Sequence, residues 1–326
     1  MGNTKRVLSY LIFLGLISGT ALAVWQHRSI LDWWQLRGYV PAAEIAALAA
    51  DTAMTDPARR VFYVNHPDLM DDSTAFRQAC PLNEETIILG CYHSGQRGIF
   101  IFDVDSTELD GVEEVTAAHE MLHAAYDRLS SKQRERVDKI LTDYFNNNLT
   151  DQRIINTINA YKKTEPNDIV NEMHSIFGTE IDHLPPVLED YYKQYFSDRR
   201  AVVAFANAYE AEFTSREAKV KSYEIELSRL KAQIQAQETS LQIQLNNINT
   251  DRRRLDSLRD SGQTEEYNSG IDSFNSNVRA YNAAVAKLRS DIASYNSLVE
   301  EYNSIARELA SLQEAIDTRF TSQTTQ

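Results

Sequence analysis

Apolar residues recur along this chain with three different periods, and each period predicts a different kind of element. From Val7 to Trp25 the run VLSYLIFLGLISGTALAVW carries no charged residue. At a rise of about 1.5 Å per residue, such a run is just long enough to cross a hydrocarbon layer of about 30 Å. Further on, short clusters of β-branched and aromatic residues predict strands at 61–64 (VFYV), 86–92 (TIILGCY) and 98–104 (GIFIFDV). Ser94-Gly95-Gln96 reads as a turn that joins the last two in a hairpin. After Val104 the apolar period lengthens toward 3.6 and predicts helices at 111–128, 131–147, 151–163, 167–177 and 186–196. Pro166 suits a helix start and Gly178 a helix stop.

From residue 201 the period becomes seven. Stepping by seven from Phe213 meets Val220, Leu227, Ile234, Leu241, Ile248 and Leu255. The companion set three residues later has Tyr223, Leu230 and Leu258 but also Arg216, Gln237, Gln244 and Asp251, so half of that seam is polar. A second heptad follows a break. One set is Ile271, Val278, Val285, Ile292 and Val299; the other runs from Phe274 through Tyr281, Leu288, Tyr295, Tyr302 and Leu309 to Ile316. Two matched arms, 213–258 and 271–316, with Gly262 and Gly270 between them, predict an antiparallel coiled-coil hairpin. Each arm would be about 70 Å long. An intermolecular coiled coil is the alternative, with the polar seam setting register or admitting a partner.

The fold class expected from these patterns is α+β: a small catalytic domain of short mixed sheet and helices, an N-terminal transmembrane helix and the C-terminal hairpin. The expected domains are 1–40 (anchor and juxtamembrane segment), 41–200 and 201–326. Lys5 and Arg6 precede the apolar run, and Trp25, Trp33, Trp34 and Tyr39 follow it as interfacial aromatics do. A cleaved signal peptide is the rival, since Ala21-Leu22-Ala23 resembles a small-x-small cleavage site. The long apolar run favours an uncleaved anchor, which places a single-pass protein in the cell membrane with its catalytic domain on the extracytoplasmic side. Export would suit a disulfide between Cys80 and Cys91, worth roughly 3 kcal/mol by closing a short loop; two buried free thiols are the other reading. Asn148-Leu149-Thr150 matches a glycosylation sequon. A net charge of -14 argues against nucleic acid as a partner, because a phosphate backbone attracts Lys and Arg.

Candidate chemistry concentrates in VTAAHEMLHAAYDRL. Residues four apart on a helix share a face, so His119 and His123 present two imidazoles to one point, with Glu120 at the edge of that face. That arrangement suits Zn2+ held by two histidines, with a carboxylate beside the metal-bound water. A catalytic zinc takes three protein ligands and keeps a fourth position open. Downstream, Asn171-Glu172-Met173-His174-Ser175 offers Glu172 as the third ligand; Glu180 is the runner-up, and His174, Asp182 and His183 are weaker options.

An HExxH helix followed by a helix bearing Asn-Glu-x-x-Ser resembles the gluzincins, the thermolysin-type and aminopeptidase-type zinc peptidases. The resemblance implies a zincin-like domain with zinc on His119, His123 and Glu172, and Glu120 as general base. It also implies a sheet edge above the metal that aligns the substrate, for which 100–104 is the candidate. Thermolysin-like members carry Asp after the Ser of the second motif, where this chain has Ile176. His174, His183, Tyr161 and Tyr192 are candidates for the donor to a tetrahedral oxyanion. The expected function is therefore a membrane-anchored zinc metallopeptidase, with a peptide or protein substrate and a protein partner or self-association through the coiled coil. The alternative is a non-enzymatic adaptor in which the coiled coil does the work and the metal site is vestigial or structural.

Overall fold

Thr55, Asp56 and Pro57 start a helix where the aromatic cluster at 61–64 predicts a strand. The Thr55 hydroxyl accepts from the Ala58 amide at 3.3 Å, and Pro57 sits in the first turn, where its missing N–H costs nothing. Ala58 and Phe62 then point into the core from one face. Local β propensity loses to a well-capped amphipathic turn.

The computed structural model describes residues 27–81, 87–95, 98–164 and 166–318. Its elements are α1 (His27–Gln35), α2 (Ala43–Asp51), α3 (Asp56–Tyr63), β1 (Asp68–Met70), α4 (Ser73–Ala79), β2 (Gly90–His93), β3 (Gly98–Phe102), a short 3-10 turn (Thr107–Leu109), α5 (Val112–Asp127), α6 (Ser131–Asn147), α7 (Gln152–Thr164), α8 (Ile169–Glu180), α9 (Pro186–Tyr192), α10 (Arg199–Asp260) and α11 (Thr264–Ile316). Two units are defined by contact. One runs through Ala211 and takes in the stretch from Glu314; the other is Glu212–Gln313.

The expected α+β class is corrected. The chain is predominantly helical, and the described residues hold one sheet of three short strands in the order β1-β3-β2. β1 pairs parallel with β3, and β2 antiparallel. The expected anchor and its extracytoplasmic, single-pass placement find no support among the described residues. No helix among the described residues is long and apolar enough to cross a membrane. The run from Val7 to Trp25 itself lies outside the described residues.

In the first unit α5 lies at the centre, packed against the sheet on one side and α8 on the other, with α2 and α3 also on it. Ala117, Ala118, Met121 and Leu122 are fully buried, so this helix has apolar neighbours nearly all round. Gly178 does not stop α8; it lies inside it. A Cβ there would come 2.4 Å from Leu122 Cδ1 and 2.9 Å from Tyr192 Cε1, so glycine is what lets α8 approach α5. That close approach brings Glu172 to the histidine face.

The second unit is a pair of long antiparallel helical arms. Tyr223 bonds Glu301 at 3.2 Å and Tyr302 bonds Glu224 at 3.3 Å. Nearer the turn, Asn277 donates to Asp251 at 3.3 Å. Gly262 makes the turn with φ of 75°. Gly270 is helical instead of in the loop, and a Cβ there would meet Leu255 at 2.7 Å, so the close approach of the arms calls for glycine. The second arm's seam also departs from the heptad expectation by one residue. Ile292 is 37% exposed while Asp291 is 6% exposed. Gln233 and Gln237 each donate to Asp291 at 2.7 Å from the other arm, and Lys287 donates from its own. Their donation holds its carboxyl at about 2, below the usual carboxylate range.

Candidate metal centre

α5 starts at Gly111, whose φ of 102° lets the chain turn from the 3-10 segment into the helix. Two turns on, it brings His119 and His123 together, with ring centroids 4.7 Å apart and an edge-on tilt of 70°. Their Nε2 atoms face the carboxylate of Glu172 on α8, at 3.7 Å for His119 and 3.5 Å for His123. A hydrogen bond in this setting spans roughly 2.7–3.2 Å. Two ligand atoms on a tetrahedral ion, with bonds of about 2.0–2.1 Å, stand about 3.3 Å apart. The observed spacings lie nearer the second geometry than the first.

His119, Glu120 and His123 each place a ligand atom within 4.8 Å of the others, and this group could hold a metal ion. The charges fit a cation. Glu172 is 5% exposed. Burial pushes its carboxyl up, but His123 and His119 outweigh that and hold it below its ordinary range. Burial opposes a proton on His119, yet the facing Glu172 and the neighbouring Glu120 raise it on balance. Glu120 is raised by its burial, against the pull of His123 and His119. A divalent cation is held by deprotonated ligands, and the lowered Glu172 carboxylate meets that condition.

Glu180, the runner-up, lines the same cleft but is committed elsewhere. Arg153 donates to it at 2.7 Å and to Glu210 at 3.2 Å. His174 sits in the core and not in the cleft. It bonds the Tyr191 hydroxyl at 2.8 Å among Tyr126, Tyr192 and Tyr195, and burial pushes its imidazole down to about 3. The Tyr192 hydroxyl donates to the His174 carbonyl at 2.7 Å, so it is not free for substrate. His183 is on the surface beside Asp182, 3.1 Å away. Of the four oxyanion-donor candidates, Tyr161 alone lines the cleft. Ile176 is 1% exposed and packs in the core.

The expected substrate-aligning edge is also corrected. β3 is the central strand of the sheet, because β1, a three-residue strand with no alternation to announce it, pairs on its far side. The strand that borders the cleft is the edge strand β2, whose Gly90, Cys91, Tyr92 and His93 line it. Cys91 is bonded to Cys80 at the end of α4, which ties this edge to the helix before it. The cleft has a volume of about 320 Å³, with α5 as its floor.

Three cleft residues escaped the sequence reading. Gly90 is the sharpest: a Cβ there would lie 2.9 Å from both Cγ and Oε1 of Glu120 and 2.5 Å from Thr116 Cγ2. The glycine makes the room in which the Glu120 carboxylate sits. His93 turns its Nε2 to the Ala79 carbonyl at 2.6 Å, and its place three residues after Gly90 in a strand gave no metal-ligand spacing. Tyr209 comes from the first turns of α10, ahead of the heptad that marks the arm.

Neither a scan against protein-family models nor searches of curated proteins and of solved structures returned a match. The likeness to the gluzincins thus stands on the two motifs and their geometry alone.

Proposed function

We propose that this chain is a zinc-dependent peptidase of gluzincin-like design, in which His119, His123 and Glu172 hold the ion and Glu120 is the general base. The observation that carries the reading is the Glu172 carboxylate, buried opposite two imidazoles at 3.5 and 3.7 Å, with a second carboxylate beside them in an open cleft. Two nitrogens and one oxygen form a donor set that suits zinc.

When bound, zinc supplies an acidified water and a Lewis acid for the scissile carbonyl. The chain's own residues do the rest. Glu120, with its carboxyl raised by burial, accepts a proton at a carboxylate oxygen and returns it to the departing amine nitrogen. Gly90 keeps that carboxylate against the edge strand. The apolar residues Ile87, Ile88 and Leu89 limit water in the cleft, which Tyr161 and Tyr209 also line.

The test is hydrolysis of a peptide library by the zinc-loaded full chain and by its Glu120→Gln variant. Turnover by the wild type that falls at least ~100-fold in the variant, with zinc retained, is the expected result. Zinc bound with no turnover by either would leave a structural metal site and defeat the peptidase reading.

A further inference from the structure

His174 lies two residues after Glu172 on α8, fully buried, with its ring set among tyrosines. Tyr126 belongs to α5, three residues after His123, and its ring centroid is 5.3 Å from the imidazole. Tyr191 and Tyr192 belong to α9 and Tyr195 follows it, at 5.6, 5.7 and 5.9 Å. One imidazole thus joins the helix that carries His119 and His123 to the helix that carries Glu172, with α9 closing the cluster.

The polar atoms of this ring are used unevenly. Nε2 bonds the Tyr191 hydroxyl at 2.8 Å, and that hydroxyl in turn lies 3.1 Å from the Tyr195 hydroxyl. Nδ1 is buried with no hydrogen-bond partner among the described residues. Leaving a ring nitrogen dry costs free energy. A phenylalanine would fill much the same space without that cost, so packing alone does not call for histidine at 174. What histidine adds is a directional bond. Apolar contacts tolerate small slides between helices, whereas a satisfied buried polar network specifies one arrangement.

We propose that His174 is a positioning residue for the metal centre: its ring, held by Tyr191 and set against Tyr126, fixes the spacing of α8 from α5 that leaves Glu172 at 3.5 and 3.7 Å from the two imidazoles. The inference rests on the reading of His119, His123 and Glu172 as ligands, but not on turnover. A closer approach would turn these contacts into ordinary hydrogen bonds and close the room for an ion. A wider separation would lose the third ligand.

The experiment is metal binding by the full-length chain, with Zn2+ and Co2+ as probes. In His174→Phe the Tyr191 hydroxyl keeps Tyr195 as a partner and the orphaned Nδ1 is gone, so the urea midpoint should not fall. Zinc affinity, by competition with a chromophoric chelator, should nonetheless weaken about tenfold, and the visible absorption of the Co2+ form should shift. His174→Gln keeps a polar atom near the place of Nε2 and should hold zinc affinity within about threefold of the wild type. If His174→Phe does not fold, Tyr191→Phe, which removes only a hydroxyl, takes its place with the same expected direction. Unchanged zinc affinity with an unchanged Co2+ spectrum, at whatever urea midpoint, makes His174 an ordinary core residue and overturns the proposal. A loss of affinity that comes with a lower urea midpoint and is equal in His174→Gln overturns it as well. A wild type that holds neither metal defeats the ligand reading and this proposal with it. A wild type that holds metal yet hydrolyses no peptide defeats only the peptidase reading.

Discussion

Two buried carboxylates, one in each unit, are satisfied in opposite ways. Asp291, in the hairpin seam, has donors from Gln233, Gln237 and Lys287 at hydrogen-bond length. Glu172, lining the cleft, faces two imidazole nitrogens that stand too far off for a good hydrogen bond. A buried charge needs a partner. Asp291 finds its partners within the chain and serves register, as a polar residue in a coiled-coil seam does. Glu172 has its imidazole neighbours at 3.5 and 3.7 Å, a spacing that, under the proposed function, a metal ion would bridge.

That contrast can be broken most directly at Glu172. Glu172→Ala should weaken zinc binding by more than the roughly 100-fold typical of losing a supporting residue, whereas Glu180→Ala, which removes only an Arg153 partner, should leave it within about threefold. Competition with a chromophoric chelator measures both. Equal losses would make Glu180 a ligand and dissolve the contrast.

Gly90→Ala is the next largest effect. The new methyl group needs the space of the Glu120 carboxylate. A displacement of about 1 Å at a reacting group costs on the order of 100-fold in rate. Peptide turnover should fall by that order while zinc content holds, as measured by steady-state kinetics and metal analysis on one preparation. Gly178→Ala acts a step further away, by wedging α8 from α5 at Leu122 and Tyr192. Overpacking of this kind costs about 1–3 kcal/mol, readable in urea unfolding.

The smallest effect belongs to the hairpin. The folded-state pKa of Asp291 lies at about 2, below its ordinary value of 3.8. The stability it adds is therefore complete above the unfolded value and lost as pH falls from about 4 toward 2. Asp291→Asn should flatten that part of the acid melting curve of the arms and leave zinc affinity untouched. A changed zinc affinity would mean that the two carboxylates are not independent.

Long periodic patterns were legible in the sequence. The helix of His119 and His123 and the one that follows it lie within a residue of the ranges their periodicity predicts, and so do the seams of the first arm. What was not legible depended on neighbours. The cluster at 61–64 has strand composition, but Thr55 and Pro57 commit it to a helix. Gly178 and Gly270 look like punctuation, yet each is a close contact between elements distant in sequence. Ile292 yields its seam position to Asp291 because the glutamines that satisfy the aspartate lie on the other arm. The two histidines and Glu120 could be read from spacing alone, since one helix presents them. The room for Glu120 could not, because it depends on Gly90 in a strand whose position only the folded chain reveals.

The account rests on Glu172 completing a metal site with His119 and His123. Metal stoichiometry of the purified full chain, by elemental analysis after zinc loading and removal of loose ions, tests that most directly. The prediction is one zinc per chain in the wild type and in Glu120→Gln, and none retained in Glu172→Ala. Full zinc in Glu172→Ala, or none in the wild type, would contradict it.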